Sequence, residues 1–578
     1  MGRIRYLLLL LLLATKLAAS TAITSATVSG HWMISNSPFL IYNDIAVPYT
    51  QTLQIDPGVE IIFEGSYKLV VNGTLFSVGN AAQHIVYHRN DTTGWSDTTP
   101  THGGWQGILF DPTSADLSVF RYCEVLDLKH GTLDDFRPIS IANCEFYHNK
   151  DGCMRINGSD SGQLVDLGYC TFHNNTGTTL LSTYGCKHYV HDDTFCNNAT
   201  HCAYKDSSYK TIFANNEVYR NTQTDSVSGG LITLLRSNGQ VNNNRIFKNT
   251  GMLDGMIYGK ASTIEINANI ICNNVVTVAP GAATAQGGAA IHINDSGATT
   301  YRTTTIRNNI IANNATAGYG AGIYIYRANA GILNNDIINN KAAKGGGIYV
   351  VDNASTGGTI VKVKNNIFFH NVDTSGGVTD TVNVYLAGID TLLYEYNFSE
   401  RSFSADVFAT GSYTLTGDTL HDAVGAAPQL IAPTLTTSDT ENALLANFGL
   451  LISSPCVNTG DTGGTVPSVL DYAGNARVTG TIIDIGAIES PYKLTINELE
   501  NQTDFNLCPN PACQTLHCSS PSANGIVYIT DVTGKIMSLQ HLKAGTIAFS
   551  LSHFTKGIYF AIFESDNLCR IIKQFVVE

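Results

Sequence analysis

Charge is scarce in this sequence. Asp, Glu, Lys and Arg together make up 14% of 578 residues, and long amphipathic helices are absent from the pattern. A helical or coiled-coil chain needs charged faces, so that class is excluded. Positive charge is scarcer still: 33 Lys and Arg stand against 47 Asp and Glu, a formal net charge of -14. Nucleic acid is therefore not expected as a partner, because its recognition rests on a basic footprint. The same acidity argues against polyanionic glycans unless a metal ion bridges the two. After the N-terminus no apolar run reaches the length of a membrane span, so no transmembrane segment is expected.

Glycine is abundant instead, with 53 residues, which suits a turn-rich β chain. Arg3 and Arg5, the apolar run Leu7 to Leu13, and Ala18-Ala19-Ser20 read as an export signal over residues 1–22. Without a Cys behind that signal, a lipid anchor there is not expected. Thirteen Cys is an odd number, so at least one thiol cannot pair within the chain. Those inside the repeats read as small buried hydrophobes.

One pattern recurs: polar, polar, any, apolar, any, any, Asn. It ends at Asn149, Asn175, Asn198, Asn221, Asn249, Asn274, Asn314, Asn340 and Asn371. A period near 25 residues means stacked units, each one coil of three short strands. The longer step from Asn274 to Asn314 implies an inserted loop around VVTVAPGAATAQ. Asn tolerates the left-handed backbone of a turn, and stacked amides hydrogen-bond from coil to coil. A second element follows each Asn, as in GAAIHI, AGIYIY and GGIYVV. Alternation points Ile323 and Ile325 inward and Tyr324 outward.

These repeats resemble the pectate-lyase-like, right-handed parallel β-helix superfamily over roughly residues 30–400. The resemblance implies an all-β coil. It leaves function open, since the fold carries lyases, hydrolases, adhesins and inert spacers. TLQIDPGVEIIFEG, LVVNGTLFSVGN and GGWQGILF resemble the opening coils of bacterial surface β-helices, with Trp105 packing over them. On this reading residues 23–120 are an N-terminal cap and first coils, and 121–424 the repeats.

From Gly425 the text changes. Ser454, Pro455, Asn458 and Gly460, then Asp471, Gly474, Asn475 and Arg477, then Asp484 to Ala487 and Glu489, resemble the choice-of-anchor Q segment of surface proteins. Cys456-Val457 departs from that pattern. Asp471, Arg477, Asp484 and Glu489 read as an ion-pair and turn network in which residues 425–490 cap the C-terminal end of the coil, rather than as acid–base machinery. After a linker (491–503), residues 504–578 form a small β-sandwich by pattern. Pro509, Asn510 and Pro511, Asp531, Gly534 and Lys535, Gly557, Ile558 and Tyr559, and the strand from Lys573 to Val576 resemble the type IX secretion C-terminal sorting domain. That resemblance implies the type IX exporter as partner, removal of the domain, and a place on the outer-membrane cell surface. Cys508, Cys513, Cys518 and His517 crowd the Pro-Asn-Pro motif. They fit disulfides, with Cys569 as a further partner, better than the spacing of a zinc site.

No complete catalytic set is legible. His191, Asp192 and Asp193 form the most polar short cluster, with Arg155, His173 and Lys205 as candidates for a shared face. Asp192-Asp193 occupies the repeat's Asn-Asn slot, however, which favours a turn. Tyr258, His292, Tyr324 and Tyr349 align when the repeats are overlaid, and a column of aromatic faces suits sugar stacking. Three readings follow. One is a binding or structural surface protein in contact with glycan and without catalysis. Another is a polysaccharide lyase or glycosidase; no cofactor is expected, calcium being a candidate for the lyase alone. The third is an adhesin. Binding is favoured over catalysis because the catalytic motif is missing.

Overall fold

The corners of the coil set everything else. In the computed structural model the backbone enters the left-handed region at Arg327 (φ 53°), Asn334 (φ 54°) and Asn339 (φ 53°). Between these corners run the strands Ile323–Tyr326, Asn329–Leu333 and Asp336–Ile338. Each pairs in parallel with its equivalent one coil on: Ile323 with Ile348, Ile332 with Val363, Ile337 with Phe368. Repetition from Thr21 to Val424 builds a parallel β-helix, and its first, second and third sheets contain these three strands in turn. The described residues are 20–491 and 505–578, apart from 96–102, 112–117, 136–138, 159–163, 225–228, 278–286, 298–299, 353–357, 375–381, 418, 435–445, 464–469, 479–481, 521–523 and 566–569. The export signal thus lies almost wholly outside them, as does most of the inserted loop. Thr21–Ile23 already pairs with Phe39–Ile41, so the fold begins before the expected boundary at residue 22.

The repeating asparagines form a ladder, but the left-handed residue is the one before each of them. Asn339 takes the corner and Asn340 turns its amide inward. Asn340 Nδ2 donates to Asn371 Oδ1 (3.0 Å) and to the carbonyl of Ile311 (2.8 Å), and its backbone N–H also donates to Asn371 Oδ1 (3.0 Å). A buried amide left without partners costs free energy, so a full set of bonds at every coil locks the stacking in register. A second, parallel ladder runs through Asn216, Asn244, Asn269, Asn309, Asn335, Asn366 and Asn397.

Between the ladders the interior is apolar, with Phe146, Phe172 and Phe195 stacked at 4.9 and 4.7 Å. Trp105 lies inside this core rather than over it, stacked on Phe63 at 4.2 Å. Within the coils, nine described Cys from Cys123 to Cys456 are buried free thiols.

The described residues of 446–491 do not close the end of the coil. They lie along the outer face of the third sheet, where Leu450, Cys456, Val457, Ile485 and Ala487 pack on Ile310, Ile338 and Ile367. The reason is a change in the repeat. Glu145-Phe146-Tyr147 and Thr171-Phe172-His173 keep their outward positions polar or half-exposed, whereas Ile310-Ile311-Ala312 and Ile367-Phe368-Phe369 are buried at all three. An apolar outer face needs a cover. At the C-terminal end, the helical turn Phe403–Asp406 packs Phe403 against Tyr394 and buries Asp406.

The unit of residues 493–578 is separate. It has a three-stranded sheet (Asn506–Cys508, Thr515–Ser520, Gly545–Ser550) and a four-stranded one (Gly525–Thr530, Ile536–Leu542, Gly557–Ser565, Arg570–Val577), both antiparallel. The motif residues hold it together. Asn510 Oδ1 accepts the N–H of Val576 and its Nδ2 donates to the carbonyl of Gln574, which ties the exposed Pro509-Asn510-Pro511 turn to the last strand beside Lys573. Asp531 Oδ1 accepts the N–H of Thr533 and of Lys535 around Gly534. Tyr559, two residues past Gly557, is buried and donates to the carbonyl of Thr555. Cys508, Cys513 and Cys518 are free thiols here, and Cys569 lies outside the described residues.

Candidate functional site

Stacking in register turns one outward position of the first sheet into a column. It runs Arg155, Ser182, Lys205, Thr233, Tyr258, His292, Tyr324, Tyr349, Tyr385, Phe408. The column has two halves of opposite character.

The half toward the N-terminus is open. Arg155, Ser182 and Lys205 line a groove of about 650 Å³ with Lys68, Thr179 and Tyr184. Tyr184 and Ser207 also border an adjoining hollow of about 960 Å³, lined by Arg236, Lys260 and Arg302. Arg302 is held by Asp295 at 2.7 Å. Lys205, Arg236 and Lys260 are exposed and pair with no carboxylate among the described residues. Asp151 is the acidic side chain lining these hollows. A strip of cations on an acidic protein focuses its field locally, so the objection to polyanions drawn from net charge fails at this face. The groove floor is polar from behind as well. Inward-facing Asp206 accepts from Thr183 Oγ1 (2.8 Å), and burial pushes nearby His188 down to about 4.

The other half is closed. The four aromatics expected to form a sugar platform do fall in one column, but they are covered: Tyr258, His292, Tyr324 and Tyr349 are 1%, 3%, 4% and 7% exposed. Their rings face one another instead. His292 meets Tyr258 and Tyr324 edge-on at 5.0 and 4.6 Å, and Tyr324 stacks on Tyr349 at 5.5 Å. Tyr319 lies on Tyr349, and Lys344 reaches over the rings of Tyr319 and Tyr385. Asp254 sits 2.7 Å from His292 Nδ1. Burial raises the Tyr324 hydroxyl pKa above its usual value. Gly288, Gly320 and Gly345, which precede three of these strands, sit close against the Cβ atoms of His292, Tyr324 and Tyr349 on this face. The alternation of Ile and Tyr does not reveal that cover.

The short polar cluster also separates. His191 lies between two carboxylates, Asp192 at 2.7 Å from Nδ1 and Asp166 at 2.9 Å from Nε2. Asp193 faces the interior and accepts the N–H of Cys170. Asp192 takes a left-handed corner (φ 55°), so consecutive side chains diverge. His173 is on the third sheet, bonded to Glu145. Of the wider set, Arg155 and Lys205 alone share the groove. Tyr184, Arg236 and Lys260 were not anticipated. The signal for Arg236 and Lys260 is a basic residue at or just past the end of a first-sheet strand, as in LLRS and YGKA. Asp471, Arg477, Asp484 and Glu489 are all buried within this covering segment and bond mainly to its own backbone, which removes them as a catalytic set.

A family model for a right handed beta helix region matches residues 132–306. Another, for a secretion system C-terminal sorting domain, matches residues 506–578. No curated protein matches the sequence. Solved structures of the tailspike protein of E. coli bacteriophage HK620 are similar, each covering 93% of this chain and 86% of that one. A double mutant is 11% identical with a TM-score of 0.31, and a double mutant in complex with pentasaccharide is 10% identical with a TM-score of 0.27.

Proposed function

From the premise that the chain is a right-handed parallel β-helix protein exported to the cell surface through a type IX sorting domain, we propose that it holds an extended acidic polysaccharide along the first sheet. The observation carrying this reading is the open strip of Arg155, Lys205, Arg236 and Lys260 on an otherwise acidic molecule. Coils repeat at ~4.8 Å, close to the rise of one pyranose unit, so a chain lying along the axis meets equivalent side chains sugar after sugar. Ser182, Ser207 and Thr179 offer hydroxyls, the exposed Tyr184 ring offers a stacking face, and the cations offer partners for uronate or sulfate groups.

A second reading has one observation behind it. Arg155 and Lys205 share one groove, and in a lyase one such cation neutralises the uronate carboxylate while a deprotonated neighbour takes the C5 proton, the C4=C5 bond forms, the C4–O bond breaks and the departing oxygen takes a proton from water. One titration separates the two. The full chain is mixed with a polyuronate and with a neutral polysaccharide. Saturable binding of the polyuronate without an unsaturated product supports the holding role. An unsaturated product moves the protein to the lyases. Equal binding of the neutral chain, or none at all, rejects both.

A further inference from the structure

The third sheet carries a second polar constellation on its outer face, away from the groove. Val86, Glu124 and Glu145 occupy equivalent positions on three successive coils, so the two glutamates lie directly one above the other. Stacked like charges on neighbouring strands are unfavourable unless something neutralises them. Among the described residues no Lys or Arg pairs with either. Their partners are His84, whose Nδ1 is 3.1 Å from Glu124 Oε1, and His173, whose Nε2 is 2.6 Å from Glu145 Oε1. Tyr147 donates to Glu124 Oε2 at 2.9 Å.

We infer that His84, Glu124 and Glu145 form a binding site for a divalent transition ion of the zinc kind. One ligand atom from each residue lies within 4.8 Å of the others, a span that one ion can bridge with small side-chain movements. One imidazole and two carboxylates favour zinc, nickel or copper over calcium, which takes oxygen alone. Tyr147 and His173 grip the carboxylates from outside, the role that outer-shell partners play in fixing ligands. All three donors are half-buried, which leaves water to complete the coordination. The ion would tie together the coils that begin the long run of repeats.

The test uses Zn2+ and Co2+ with the full chain. Zn2+ is expected to raise the thermal midpoint, and Co2+ to give a visible d–d absorption. His84→Gln and Glu145→Gln should each weaken binding roughly tenfold or more and remove both signals. Glu145→Gln should also raise the metal-free midpoint, because it relieves the stacked charges. Glu217→Gln, on the same face but paired with Arg245, should change neither signal. No ion-dependent shift in the wild type, or a shift retained in His84→Gln, overturns the assignment.

Discussion

Asp193 occupies the slot that Asn216 fills one coil further on. Its Oδ1 accepts the N–H of Cys170 at 2.7 Å, as Asn216 Oδ1 accepts the N–H of Asp193 at 2.9 Å. Where Asn216 places an NH2 that donates to Val190 and Asn244, Asp193 has Oδ2, buried and without a partner among the described residues. Burial raises its pKa well above the carboxylate range, so the folded chain keeps the proton that the unfolded chain releases above ~4. The resulting stability is complete below that pH and is lost as pH rises toward the folded value. Asp193→Asn should therefore stabilise the helix at neutral pH by about 1–3 kcal/mol and flatten its pH dependence. Urea unfolding at two pH values checks this. An unchanged midpoint at neutral pH rejects the account.

The aromatic column makes the opposite kind of prediction. Tyr324 is covered, stacked on Tyr349 and met edge-on by His292, so its removal leaves a cavity rather than an empty sugar site. Tyr324→Ala should cost about 3 kcal/mol and leave polysaccharide affinity in the groove unchanged. Thermal unfolding and a binding titration on the same sample separate the effects. A loss of affinity at unchanged stability would restore the platform reading.

Groove binding should be electrostatic. Lys205→Glu should weaken polyuronate binding about tenfold, or ~1.4 kcal/mol. The wild-type affinity should fall as ionic strength rises from about 0.01 to 0.15 M, where the Debye length shortens from ~30 to ~8 Å. Binding that ignores both changes would place the ligand elsewhere.

The coil was legible because its turns carry their own signature. Nine asparagines in one recurring pattern point to the strand order, the register and the inward set, and Asn149 to Asn371 do form one ladder. The second ladder was half-visible as the second Asn of the pair that opens many repeats, as in Asn308-Asn309 and Asn334-Asn335. What sequence could not reveal was the covering of faces. Ile323-Tyr324-Ile325-Tyr326 reads the same whether the tyrosine meets solvent or a loop, because burial on the outer side depends on the path of the segment before the strand and on side chains from neighbouring coils. The groove stayed hidden for a related reason: Lys205 and Arg236, on successive coils, come to line adjoining hollows only once the coils stack, and net charge averages them away. The shift from Thr-Phe-His to Ile-Ile-Ala was readable as an outer face turning apolar, and it marks where residues 446–491 lie.

That covering segment is held by a charge arrangement with a definite pH response. Arg477 is buried with Glu489 at 3.6 Å and donates to the carbonyl of Gly486. Asp471, Asp484 and Asp336 accept backbone N–H groups of Glu489, Ser490 and Ala487. Burial, with Asp484 nearby, pushes Glu489 up to about 8, and burial pushes Asp336 up to about 7. In the unfolded chain both ionise near ~4. Their contribution is therefore complete below that pH and is lost as pH rises through 7 to 8, which should loosen the segment in mild alkali. Hydrogen exchange at the amides of Ala487, Glu489 and Ser490, corrected for intrinsic rates, should show protection falling across this range, and Glu489→Gln should lessen the fall, leaving the part that Asp336 contributes. Arg477→Ala leaves the remaining carboxylates buried without their cation, a change that costs about 3–5 kcal/mol. It should release residues 446–491, expose Ile310, Ile338 and Ile367 to a hydrophobic dye, and leave the asparagine ladders intact. Dye binding accompanied by loss of the coil's own cooperative unfolding would show instead that the segment and the helix fold as one unit.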